Sequence, residues 1–315
     1  MQLGRSAHAE TCPVLSPSPR NLPAACSRGR WISFPLVLSI TLSSCAGFAF
    51  SATRAEAAAP ATYRTISTAN FIVQSTLDTA AAHALGAQCE TLLAELKGKW
   101  FAANEPQAET CDAEQADSTW TPKCVVVIHD TPASYLHWVP GGERTVGSSW
   151  IESSQGKIVA RRIDIRGDKP NWFEGALPHE LIHVLLADRF GAKPPGRWAE
   201  EGWAILVDPT EKQFRHDADL RRALARGEHF RLGEMLELTE YPGAERITAF
   251  YGQSASLVRF LAERRTPAEF SAFLKRAASH GYDAALREHY DIDGVADLER
   301  RWLADLESRD IAAVR

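Results

Sequence analysis

The chain has 315 residues, 45% of them hydrophobic and 24% charged, with a formal net charge of −5. Those proportions suit a globular protein with a substantial core, in one large domain or two small ones. No long run of one sign occurs, which excludes the basic patches that nucleic acid or an anionic membrane surface would demand.

Residues 1–57 differ from the rest. Arg20, Arg28 and Arg30 precede "WISFPLVLSITLSSCAGFAF", which is too short and interrupted for a membrane span. Ala55 and Ala57 then give the small-x-small pattern of a signal-peptidase site. The expectation is export to the periplasm or the exterior, with a mature chain that begins near Ala58 and has no membrane span. An uncleaved anchor is one alternative. A lipid anchor at Cys45, in Leu42-Ser43-Ser44-Cys45, is another, and the apolar Phe48 and Phe50 beyond it count against that. The long region ahead of the apolar stretch also fits a start codon downstream of Met1.

Cleavage would leave Cys89, Cys111 and Cys124, none at zinc-finger spacing. Cys89 falls on the apolar stripe of a helix and is expected to be a buried, inert thiol. Cys111 and Cys124 bracket the polar "DAEQADSTWTPK". In an oxidising compartment they are expected to close a loop worth roughly 3 kcal/mol, two free thiols being the alternative.

In chain order, "TISTANFIVQST" (65–76) opens as a strand. A helix over 85–101 puts Leu85, Cys89, Leu92, Leu93, Leu96 and Trp100 on one face. The β-branched run in "KCVVVIHD" (123–130) predicts a buried strand. Residues 148–167 predict a hairpin turning near Gln155-Gly156. Arg161, Arg162 and Arg166 on its second strand suggest a sheet edge. From Leu177 onward the pattern is helical. One helix starts after Pro178 and stops at Gly191; a second covers "GRWAEEGWAILVD" (196–208) and a third 247–264. Thr266-Pro267-Ala268-Glu269 is a capping box with proline at the first helical position, opening a fourth. The last helix aligns Val295, Leu298, Trp302 and Leu306. The fold class is therefore α+β: a strand-rich part (58–176), then a mainly helical part (177–315).

The chemistry concentrates in "ALPHELIHVLLADRF" (176–190). His179 and His183, at i and i+4, share a helix face and can aim both imidazoles at one ion. Glu180, about 100° further round, lies where it can reach a water beside that ion. This is the division of labour in His-Glu-x-x-His: two ligands and one general base. A catalytic zinc site needs a third protein ligand and an open position. "RWAEEGWA" supplies Glu200 and Glu201 on the next helix, with 17 residues between His183 and Glu201. That is enough for the chain to return antiparallel and face a carboxylate to the histidines.

"HELIH" followed by "EEGWA" resembles the gluzincins, the thermolysin-like and aminopeptidase-N-like zinc peptidases, and most of all the peptidase-MA-like domains. "FYGQSASLVRFL", "GYDAALREHY" and "DLERRW" extend the resemblance over about Leu177 to Leu306. It implies a zincin-like fold, with a small mixed N-terminal sheet beside an active-site helix. It also implies Zn²⁺ held by His179, His183 and Glu201, with Glu180 as base; Glu200 stands where the pattern often has Asn, which leaves it as the alternative ligand. A tyrosine stabilises the oxyanion in some gluzincins, which makes Tyr251 the first candidate, with His229 and Tyr241 next. Asp208 is a weaker candidate to orient a ligand imidazole, since Ile205 occupies the position one turn after the third ligand.

The expected function is an exported zinc metallohydrolase that cleaves peptide bonds in peptide or protein substrates. The substrate would pair in extended form with an edge strand, "KIVARRIDIR" (157–166), where Arg161 or Arg162 could meet a carboxylate; solvated edge charge is the plainer account. The alternative function is a non-catalytic extracellular binding module that keeps a structural zinc, and such a site would need a fourth protein ligand.

Overall fold

The computed structural model describes residues 30–32, 62–101, 119–191 and 193–313. Arg64–Ser67 (β2) and Phe71–Ser75 (β3) pair antiparallel, so the single strand expected here is two. The turn between them is held from outside. Glu90 accepts from the Asn70 backbone N–H (2.6 Å) and from its side-chain amide (2.7 Å). Glu90 belongs to α1 (Thr79–Phe101), which buries Leu85, Cys89, Leu93, Leu96 and Trp100 as the stripe predicted.

Helix α1 is the crossover that lets β4 (Cys124–His129) lie parallel to β3. After β4, Thr131 caps the short α2 (Pro132–Trp138), with its side chain accepting from the Ser134 N–H. Strands β5 (Gly147–Ser154) and β6 (Lys157–Arg166) form the expected hairpin. Gln155 and Gly156 have φ of 51° and 76°, the two left-handed positions that a tight two-residue hairpin turn requires. β6 then runs parallel to β4. Strands β2 to β6 make a mixed sheet in the order β5-β6-β4-β3-β2, and β1 (Arg30–Ile32), from the segment predicted to direct export, pairs antiparallel with the outer edge of β5.

The charged strand is thus interior, not an edge. Its arginines are matched locally. Arg161 bonds Asp188 (2.5 Å) and the Pro122 carbonyl (2.7 Å). Arg162 bonds Asp164 twice and Arg166 bonds Asp168 twice, every distance 2.7 Å. Paired and hydrogen-bonded, these charges are tolerable inside a sheet. Neither Arg161 nor Arg162 is free to serve a substrate from an edge.

Cys89 and Cys124 are free and fully buried, and burial pushes the Cys89 thiol up to about 12. The expected partner of Cys124, Cys111, lies outside the described residues.

The helical half follows: α3 (Ala176–Phe190), α4 (Arg197–Ile205), α5 (Thr210–Arg226), α6 (Leu232–Leu236), α7 (Ile247–Ala262), α8 (Pro267–His280), α9 (Tyr282–Tyr290) and α10 (Val295–Ala313). α3 begins two residues before Pro178 rather than after it. A proline in the first helical turn lacks only an N–H that would have no partner there. The helix ends at Gly191, whose φ is 56°. α8 opens on the Thr266–Glu269 capping box with both reciprocal bonds formed. A single apolar core runs from α1 and the sheet through α3 into α4, α7 and α8. No described helix is long and apolar enough to cross a membrane.

Candidate metal centre

Helix α3 is buried on nearly every side, which holds its two histidines in fixed positions. The rings of His179 and His183 stack edge to face with centroids 5.3 Å apart. Helix α4 returns across them because Gly202 lets it press against α7. A Cβ at residue 202 would strike the Ser254 carbonyl and come within 2.5 Å of Val258 Cγ2. The residue before that contact is Glu201. Its carboxylate lies 3.7 Å from His179 Nε2 and 3.9 Å from His183 Nε2.

One donor atom from each of these three residues lies within 4.8 Å of the others, a group able to hold a metal ion. Two imidazoles and a carboxylate form a zinc-type donor set, and tetrahedral sites space their donors roughly 3.3 Å apart, so the residues present fit such an ion. Glu200, the alternative third ligand, is paired instead with Arg197 Nη1 at 3.0 Å. Burial raises its pKa to about 7 despite that arginine.

Outer contacts orient the group. His179 Nδ1 lies 3.2 Å from Asp208 Oδ1, whose other oxygen is 2.9 Å from Lys212 Nζ. Asp208, the weaker candidate by sequence, therefore does meet a ligand imidazole, although it lies seven residues after Glu201. Tyr241 donates its hydroxyl to Glu201 Oε1, with the Arg197 guanidinium 5.3 Å from the Tyr241 ring centre. That places Tyr241 as a support for the third ligand.

The electrostatics favour a cation. Burial disfavours a charged His179, but Asp208 and Glu201 outweigh it and push its pKa up to about 10. Burial lowers His183 to about 4. Glu201, opposed by burial, is held at about 2 by both histidines and the Tyr241 hydroxyl. Without an ion, the protonated His179 ring supplies the positive charge that these carboxylates need.

Glu180 faces the same cleft, 6% exposed, and its Oε2 is buried without a hydrogen-bond partner among the described residues. Burial raises its pKa. It rests against the first residue of β5, where a Cβ on Gly147 would lie 2.7 Å from Glu180 Cγ. The cleft has a volume of about 670 Å³ and Tyr251 lines it, with its phenol pKa raised by burial. His229 is not among the lining residues.

Sequence reasoning missed Gly147 and His216. His216, on α5, presents its ring edge to Tyr251 with centroids 6.0 Å apart, and its Nδ1 is buried without a partner among the described residues. Neither belongs to a recognisable pattern, so only the packing shows them. No protein-family model matches this chain, and no curated protein matches it.

Proposed function

We propose that the protein is an exported, zinc-dependent metallohydrolase of gluzincin type that hydrolyses peptide bonds. The observation behind this reading is the convergence of Glu201 on His179 and His183, with Glu180 in the same cleft and its Oε2 without a hydrogen-bond partner among the described residues. The metal group has three side chains, which suits an open catalytic site better than a closed structural one.

A zinc ion held by His179, His183 and Glu201 would supply Lewis acidity, polarising a substrate carbonyl and acidifying water. The chain's own residues do the rest. Glu180 takes a proton from the attacking water and passes it to the departing amine, and its raised pKa lets it hold that proton between the two transfers. Tyr251, kept protonated by burial, donates to the developing oxyanion. Asp208 and Tyr241 hold His179 and Glu201 in register. The substrate lies extended along the outer edge of β5, which starts beside Glu180 and is covered by β1 while residues 1–57 are attached. Loss of residues 1–57 on export would uncover that edge.

The test is Glu180→Gln in the zinc-loaded protein, assayed on a mixed peptide pool by mass spectrometry. Zinc content should stay at the wild-type level while hydrolysis falls by about 10²- to 10⁴-fold. Unchanged hydrolysis with zinc retained would remove Glu180 from the mechanism.

A further inference from the structure

Most of the charge lining the cleft has a partner. Glu201 faces the histidines, and Asp208 is shared between His179 and Lys212. Two lining cations differ. Arg144 lies on the turn before β5, three residues from the glycine that abuts Glu180; Arg215 lies on α5, one turn beyond Lys212. Both are exposed and both line the cleft, and neither has an ion-pair partner among the described residues. One exposed carboxylate, Glu211, shares the rim with them. With the metal group balanced by its ion, the mouth keeps an excess of positive charge on a chain whose net charge is −5. A cleft concentrates such a field, and a guanidinium fork matches a carboxylate in shape as well as sign.

We propose that Arg144 and Arg215, reaching in from separate walls, select an acidic peptide by pairing with its carboxylate. The reaction at that peptide rests on the peptidase reading above; the binding preference does not. The carboxylate belongs either to an Asp or Glu side chain or to a free C-terminus, and both offer the same chemistry.

Binding is measured on the zinc-loaded mature chain, beginning near Ala58 so that β1 no longer covers the β5 edge, and carrying Glu180→Gln so that bound peptide persists. Fluorescence anisotropy compares labelled Asp/Glu peptides with their Asn/Gln counterparts, each with a free or an amidated C-terminus. Each engaged carboxylate should tighten binding about fivefold at low salt, the size of a unit-charge contact in water, and added salt should shrink that gain. Arg144→Glu and Arg215→Glu should each remove or reverse it. A preference that follows Asp and Glu identifies the side chain as the source, and one lost on amidation identifies the terminus. Equal affinity across the set overturns the proposal. So does a preference untouched by both reversals, which would belong to the metal alone. Failure of the peptidase reading shows separately, as a wild-type protein that binds these peptides and cleaves none.

Discussion

Gly147→Ala tests whether the backbone of β5 places Glu180, the proposed general base. The added methyl would lie 2.7 Å from Glu180 Cγ, 3.0 Å from Oε1 and 3.2 Å from Cδ. Carbon atoms in good contact sit about 3.5–4.0 Å apart, so the side chain must retreat by roughly 1 Å. Gly147 is hydrogen-bonded into β5, and Glu180 is the more flexible partner, so the carboxylate moves and the strand stays. A displacement of about 1 Å at a catalytic group costs on the order of 10²-fold in rate, or ~2.7 kcal/mol of transition-state stabilisation. The His179–His183–Glu201 group is untouched, and zinc content should be unchanged. Steady-state kinetics on a peptide cleaved by the wild type give kcat and KM; atomic absorption gives zinc, and a thermal melt verifies the fold. A folded, zinc-replete Gly147→Ala enzyme with wild-type kcat would show that Glu180 does not depend on this contact.

Gly202→Ala should destabilise the protein by about 1–3 kcal/mol, read as a lower urea midpoint, because a Cβ there collides with Ser254 and Val258 of α7. Full stability would mean that α4 and α7 have room to separate. Asp208→Ala and Tyr241→Phe each remove a bond to a ligand and should weaken zinc affinity by about 10- to 100-fold in competition with a chelator. Wild-type affinity in both would make these contacts incidental. In the zinc-free protein, the folded-state pKa of His179, about 10, lies above its ordinary 6.5. Its contribution to stability is therefore full below pH 6.5 and lost as pH rises towards 10. Zinc binding displaces that proton, so calorimetry in buffers of different ionisation enthalpy should detect about one proton released per ion at pH 7. No release would mean that His179 is already neutral in the free protein.

The metal group was legible in the sequence because its geometry is local. Two histidines one turn apart must share a face, and the next helix brings a carboxylate back over a short connection. Only the choice between Glu200 and Glu201 needed the fold, and Arg197 decides it by holding Glu200 away. The hairpin was legible from Gln155-Gly156, and α8 from its capping box. Strand β6 misled because its charge was counted without its partners. Arg162 and Asp164 are spaced by two, which in a strand puts them on one face, and Asp168 follows Arg166 at the same spacing in the turn that ends β6. That spacing is visible in "RRIDIRGD" and predicts a self-neutralised interior strand.

The cleft was not legible, and α5 shows why. Its sequence, "TEKQFRHDADLRRALAR", is charged around most of its circumference and fully buries only Leu220 and Ala223. Leu220, Ala223 and Leu224 mark the face that packs on the core, and nothing in the pattern marks Lys212, Arg215 and His216 as the wall of a cleft. The approach of α5 is set instead by Gly252 of α7, where a Cβ would lie 2.5 Å from the His216 carbonyl oxygen. That close packing brings Lys212, Arg215 and His216 to the wall of the cleft. Gly147 acts similarly from β5, and Gly202 from α4. At all three positions the missing side chain is what fixes the distance, and a residue that acts by having no side chain leaves no motif. A group such as His179, His183 and Glu201 can be found by its spacing, whereas the residues that place Glu180 and shape the cleft follow from how closely the backbones pack.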